Sequence, residues 1–264
     1  MRWFTGWRRA RILKRAALDE RSWRAGALRY PFIAALPPAE AARLRDWVVL
    51  FLHEKAVHGA GGLELRDEMR VAIAAQACML ICNLDLDWYR GWHEVIVYPD
   101  EFVAEYEYVD EDGVAHVVRE PMSGESWQQG PVILSWADTE EGAQGTGYNV
   151  VIHEFAHKLD MVNGGANGFP PLHAGMDPRR WSQVFEAAYG DFCRRVEAGE
   201  HTEIDPYAAE HPSEFFAVLS EAFFDTPFAV LAQYPEVYRE LASFYRQDPA
   251  QRLAAAGASD GALP

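Results

Sequence analysis

Val151-Ile152-His153-Glu154-Phe155-Ala156-His157-Lys158-Leu159-Asp160 is the stretch from which the rest of the chain can be read. An α-helix turns once in about 3.6 residues, so His153 and His157 leave one face a turn apart, close enough for two imidazoles to grip one zinc ion. Glu154 is then held beside the open coordination position, where a carboxylate serves as general base in metal-assisted hydrolysis. The flanking residues predict the helix. Asn149 is a suitable N-cap, Val150 to Met161 contains no Gly or Pro, and Asn163-Gly164-Gly165 supplies a stop. Val151, Ile152, Phe155 and Leu159 make an apolar side, while His153, His157 and Asp160 align as a polar stripe.

A catalytic zinc takes three protein ligands and leaves the fourth place to water. The metzincin continuation would place Gly at 160 and His at 163, but Asp160 and Asn163 stand there, which excludes that class. The third ligand is therefore expected on a second helix, as a glutamate. The segment from Tyr207 to Phe224 is the best source: Pro212 fits the first helical position, and Glu214 and Glu221 lie two turns apart on one face. Spacing leaves both glutamates open as the ligand.

Composition narrows the class. With 264 residues, 49% hydrophobic and 13% aromatic, the chain can bury a substantial core in one domain. Cys78, Cys82 and Cys193 are odd in number and lack metal-type spacing, so they read as buried thiols in a reducing compartment and the zinc site as free of thiolate. Residues 1–58 carry 12 Lys and Arg against 5 Asp and Glu, while the rest is strongly acidic and the whole chain is −16. That acidic body argues against direct nucleic-acid binding. The basic stretch with Arg2, Arg8, Arg9, Arg11, Lys14 and Arg15 lacks a following signal-peptide core, so a cytoplasmic location is expected. The longest apolar run, Val71 to Leu84, falls short of the about 20 residues a membrane span needs.

Walking outward gives the architecture. Residues 1–30 read as a basic N-terminal arm, loosely ordered or docking a partner. A single domain over 31–255 follows, with a helical part at 31–93, a sheet plus zinc helix at 94–163, and a helical part with the third ligand at 164–255; 256–264 reads as a disordered tail. Pro37-Pro38 opens an amphipathic helix ending near His58 to Gly62. Strands are expected at Val95–Tyr98, Phe102–Tyr108, Val114–Arg119 and Pro131–Trp136, with a turn at Asp110–Gly113. Further helices open at Asp177-Pro178, Pro212 and Pro235. The fold class is α+β and mostly α, with a small, largely antiparallel sheet beside the zinc helix. Strand 131–136 is either an exposed edge, to which an extended peptide could add, or an interior strand. Loop 164–176, with His173, reads equally as a lid or as plain connection.

Four strings make the chain resemble a known family: residues 151–160 above, Ile204-Asp-Pro-Tyr207-Ala-Ala, Glu214-Phe-Phe-Ala-Val-Leu-Ser-Glu221-Ala-Phe-Phe, and Phe244-Tyr-Arg-Gln-Asp-Pro249. From about Pro31 to Leu253 it is similar to the Mlc titration factor A family of zinc metallopeptidases, related at the active site to the catalytic domain of anthrax lethal factor. The resemblance implies a gluzincin-like fold, one zinc on His153, His157 and Glu214, and an active-site tyrosine at Tyr207. It implies aminopeptidase-like hydrolysis of small peptides and binding to a glucose-responsive transcriptional repressor. In such a site Tyr207 would donate to an oxyanion, and Asp160 and Glu221 are candidates to accept the far N–H of a liganding imidazole. The rival reading is a non-proteolytic protein that sequesters the repressor.

Overall fold

The computed structural model describes the backbone of residues 2–109 and 115–260, and side chains within 6–103 and 122–255. The predicted turn at 110–113 and residues 261–264 of the predicted tail lie outside the described residues.

The N-terminal segment contains α1 (Arg2–Leu13), α2 (Glu20–Gly26) and α3 (Pro31–Ala34). Arg9 on α1 pairs with Asp85 and Asp87, each at 2.9 Å, and Trp23, Ala27 and Tyr30 are buried. Pro38 at the first position of α4 (Pro38–Glu54) starts a helix that buries Leu44, Val48 and Phe51. The chain then turns into β1 (Ala56–Gly59), crosses through α5 (Asp67–Leu80) and returns as β2 (Glu94–Tyr98). A helix reaching His58 to Gly62 was expected; α4 ends at Glu54 because Ala56-Val57-His58-Gly59 pairs in register with Glu94 to Val97. A four-residue strand is too short for its period to show in sequence, and pairing overrides local preference.

The hairpin β3 (Phe102–Val109) and β4 (Ala115–Met122) follows, then β5 (Gly124–Ser126) and β6 (Val132–Ser135). The four-stranded sheet has the order β1-β2-β6-β5, with β1 and β6 both parallel to β2 and only β5 antiparallel to its neighbour. The expectation of a largely antiparallel sheet is corrected: that sheet is mainly parallel, and the separate β3–β4 hairpin is antiparallel. Period-two patterning identifies strands but not their direction; the crossover through α5 permits parallel pairing. Strand β6 lies between β2 and β5, so it is interior, and the two edges are β1 and β5.

Ser135 caps α6 (Trp136–Glu141) by accepting from the Asp138 N–H. The zinc-motif helix is α7 (Val150–Asp160), capped by Asn149, whose side chain accepts from the Ile152 N–H at 3.0 Å. Phe155 buries its ring against Phe51, Tyr89 and Trp92 at centroid distances of 5.8, 5.2 and 5.7 Å. That anchors the apolar side of α7 and turns its polar stripe toward α9. The C-terminal part comprises α8 (Pro178–Glu197), α9 (Pro212–Asp225), α10 (Pro227–Gln233), α11 (Pro235–Tyr245) and α12 (Pro249–Asp260), each opening on proline, whose fixed φ and missing N–H suit a first helical position. The Phe244–Pro249 string ties this part to the rest. Tyr245 Oη donates to Ser220 Oγ on α9 at 2.8 Å, and Gln247 Nε2 donates to the Met79 carbonyl on α5 at 2.7 Å. Buried apolar residues form one continuous cluster from Ile12 to Ala250.

Candidate metal centre

Helices α7 and α9 pack together, and their polar faces converge. His153 Nε2 and His157 Nε2 lie 3.1 Å apart, and Glu214 Oε2 is 3.0 Å from the first and 3.2 Å from the second. Among the described residues these three make the one His/Cys/Asp/Glu group compact enough to hold a metal ion. A near-tetrahedral ion with bonds of about 2.0–2.1 Å sets its donors about 3.3 Å apart, so the triangle fits zinc after a small expansion. The donor set of two imidazoles and one carboxylate is also a hydrolytic zinc set. Glu214 holds its position from the first turn of α9, below a cap in which His211 Nδ1 accepts from the Ser213 N–H at 3.2 Å.

Glu221, two turns further along α9, reaches the other side of the same imidazole. Its Oε1 lies 2.7 Å from His153 Nδ1, while Oε2 accepts the N–H of Asn149. With Nδ1 donating to Glu221, Nε2 is the nitrogen left to give its lone pair to a metal, the tautomer a metal ligand needs. Asp160 goes elsewhere. Its Oδ2 accepts the backbone N–H of Asn167 and of Gly168, both at 2.7 Å, while Oδ1 is buried with no hydrogen-bond partner among the described residues. His157 Nδ1 is buried with no hydrogen-bond partner among the described residues. The following loop is held at Asn167 and Gly168 by Asp160 and at His173, whose ring nitrogen meets the Phe244 carbonyl at 2.7 Å.

Charge at the centre follows from burial and pairing. Burial raises the Glu214 carboxyl, but hydrogen bonds from His153 and His157 outweigh it and hold the group well below the usual carboxylate range. Burial disfavours a charged His153, yet Glu214 and Glu221 together raise it. Glu154, 5% exposed, is pushed up by burial despite the nearby imidazoles. A buried carboxylate with a raised pKa beside a metal triad is suited to accept and return a proton. Tyr207 lies in the short turn at Pro206–Ala209, capped by Asp205, with its ring centroid 6.1 Å from that of His153 and half its surface exposed.

Two residues beside Glu154 were not legible. Gly124 and Ser126 lie on β5, a three-residue strand between the stretches expected as strands at 114–119 and 131–136. A Cβ placed on Gly124 would fall 2.7 Å from Glu154 Cγ and 2.8 Å from Val150 Cγ2. Glycine in a strand marks such an approach, though sequence does not reveal what approaches. Lys158, next to His157, is likewise structural: its buried ammonium donates to the carbonyls of Trp127 and Gly130, bracing the segment after β5 against α7.

Residues 4–246 match the family described as glucose-regulated metallo-peptidase M90. Mlc titration factor A of Salmonella arizonae is 41% identical over 232 residues, covering 86% of this chain and 91% of the relative. The protein of the same name from Klebsiella pneumoniae is 38% identical over 236 residues, covering 89% of each. No helix among the described residues is long and apolar enough to cross a membrane.

Proposed function

Because this chain belongs to the glucose-regulated metallopeptidase M90 family, we propose that it is a zinc-dependent peptidase of the gluzincin type, aminopeptidase-like and acting on small peptides. The observation that carries this reading is the donor triangle of His153, His157 and Glu214 with Glu154 buried beside it. Zinc, when bound there, supplies Lewis acidity to a peptide carbonyl and to a water ligand. Glu154 takes the proton of the attacking water and returns it to the leaving amine. Tyr207 extends its phenol toward the reacting carbonyl and donates to the oxyanion. Glu221 fixes the tautomer and ring orientation of His153. Strand β5 stands at one end of the four-stranded sheet, where an extended peptide could add alongside it.

The test is zinc content and turnover of the parent protein beside Glu154→Gln, on amino-acyl and internally quenched peptides. One zinc in both, with hydrolysis only by the parent, supports the enzyme, and the better substrate class gives its end preference. Hydrolysis by Glu154→Gln at the parental rate removes Glu154 as base.

The relatives' name carries a second reading, in which the chain titrates a transcriptional repressor of the Mlc kind and so takes part in regulating sugar uptake. Glu154→Gln distinguishes the two roles, since repressor binding survives it. Three free cysteines, two of them buried, suit a reducing compartment such as the cytoplasm.

A further inference from the structure

We infer that β5 positions the general base: Gly124 leaves the space that the Glu154 side chain occupies, and Ser126 presents its hydroxyl on the same face of the strand. The inference rests on the peptidase reading and assigns roles to two residues outside the metal-binding motif.

Strand residues two apart share a face, so Gly124 and Ser126 both look toward α7 while Glu125 looks away. Helix α7 packs on β5, and Gly124 is buried at that contact. A Cβ at Gly124 would lie 2.7 Å from Glu154 Cγ and 2.8 Å from Val150 Cγ2, closer than real Cβ atoms come to their neighbours. The backbone at Gly124 is not in the left-handed region, so its conformation would admit alanine. What requires glycine is the space, and the side chain filling that space is Glu154. Ser126 closes the same face, and its hydroxyl is a neighbour that opposes the upward push of burial on Glu154. The strand is held by its register on β6, where Gly124, Glu125 and Ser126 pair with Leu134, Ile133 and Val132.

A long, flexible carboxylate buried beside a metal site needs such walls, since a displacement of about 1 Å at a reacting group costs on the order of 100-fold in rate. The same short strand offers its outer edge to substrate. Its two sides thus fix the base and the peptide relative to one another, and Gly124 and Ser126 are positioning residues rather than catalytic ones.

The experiment compares Gly124→Ala, Ser126→Ala and Ser126→Thr with the parent, all zinc-loaded, reading kcat, KM, zinc per chain and thermal midpoint. Gly124→Ala should lower kcat by about 100-fold and Ser126→Ala by about 10-fold, with KM and zinc content unchanged. Ser126→Thr, which keeps the hydroxyl, should restore most of the loss. Parental kcat in both alanine variants overturns the inference, as does a rise in KM alone, which would make β5 a substrate contact only. Recovery of Gly124→Ala by Val150→Ala also overturns it, because the defect would then be a shifted helix. If the parent hydrolyses nothing, the peptidase reading fails, and crystal structures of zinc-loaded parent and Gly124→Ala still decide the positioning: an unmoved Glu154 refutes it.

Discussion

Replacing Glu221 by Gln isolates the support behind the metal site from the ligands themselves. The two carboxylate oxygens serve two donors, His153 Nδ1–H and the Asn149 N–H, in a site where Glu221 is 2% exposed. Glutamine fills the same volume but has only one acceptor oxygen, so its NH2 must face one of those donors. If the imidazole loses its acceptor, His153 loses the bond that fixes its tautomer. Loss of such a partner typically costs 10–100-fold in metal affinity, or about 1.4–2.7 kcal/mol. If Asn149 loses it instead, a buried donor at the start of α7 goes unpaired, at about 1–3 kcal/mol of stability. Competition of zinc against a chelating dye measures the first quantity, and urea unfolding of the metal-free protein the second. Asp160→Asn is the internal control. Its carboxylate accepts from Asn167 and Gly168 rather than from an imidazole, so that variant should lose stability and keep parental zinc affinity. Parental zinc affinity and parental stability together in Glu221→Gln, or weaker zinc binding in Asp160→Asn than in Glu221→Gln, would refute the reasoning.

Tyr207→Phe should lower kcat by about 100-fold with little change in KM, the usual cost of one lost oxyanion donor, and steady-state kinetics on the best peptide checks it. Its half-exposed ring predicts an unchanged thermal midpoint. Lys55 supplies a pH test away from the metal. Burial lowers its ammonium to about 8, although Glu54 opposes the shift, and in the unfolded chain it returns to about 10.4. Between those values the unfolded state binds more protons, so the parent should gain stability relative to Lys55→Met as pH rises from about 8 to about 10. Urea midpoints at both ends of that window, run in parallel on the two proteins, decide it; parallel pH profiles count against the shift.

What the sequence revealed was set by the range of the interactions involved. The α7 helix was readable because cap, apolar side and stop are all local: Asn149, Phe155 and the glycines after Asn163 act within a few residues of one another. Glu214 and Glu221 were readable as a shared face of α9, but not as different functions. That difference arises only when α7 docks and His153 presents one nitrogen to each. Asp160 shared the polar stripe with the histidines and was a natural candidate to support one of them. The loop that returns to it, through Asn167 and Gly168, uses one of its two oxygens, a contact that helix spacing could not show. Strand β1 and the parallel order of the sheet were hidden for the same reason, since Ala56–Gly59 is extended only because Glu94–Val97 lies beside it. Edge strand β5 carries a three-residue signal, and its glycine acquires meaning only from the glutamate it faces.

The division of the donors between α7 and α9 also sets an order of events during synthesis. His157 and Glu214 are 57 residues apart in the chain. At about 5–20 residues per second, a ribosome takes about 3–11 s to add that interval. Over that time the nascent chain presents two histidines and no carboxylate partner, a grip that competing chelators in the cell can undo. Firm loading waits for α9 and for the Tyr245 and Gln247 bonds that tie the last helices to α9 and α5. Under the zinc reading proposed above, a cell short of the metal would accumulate completed but empty chains, and the supply of loaded protein would track metal availability after translation rather than the rate of synthesis.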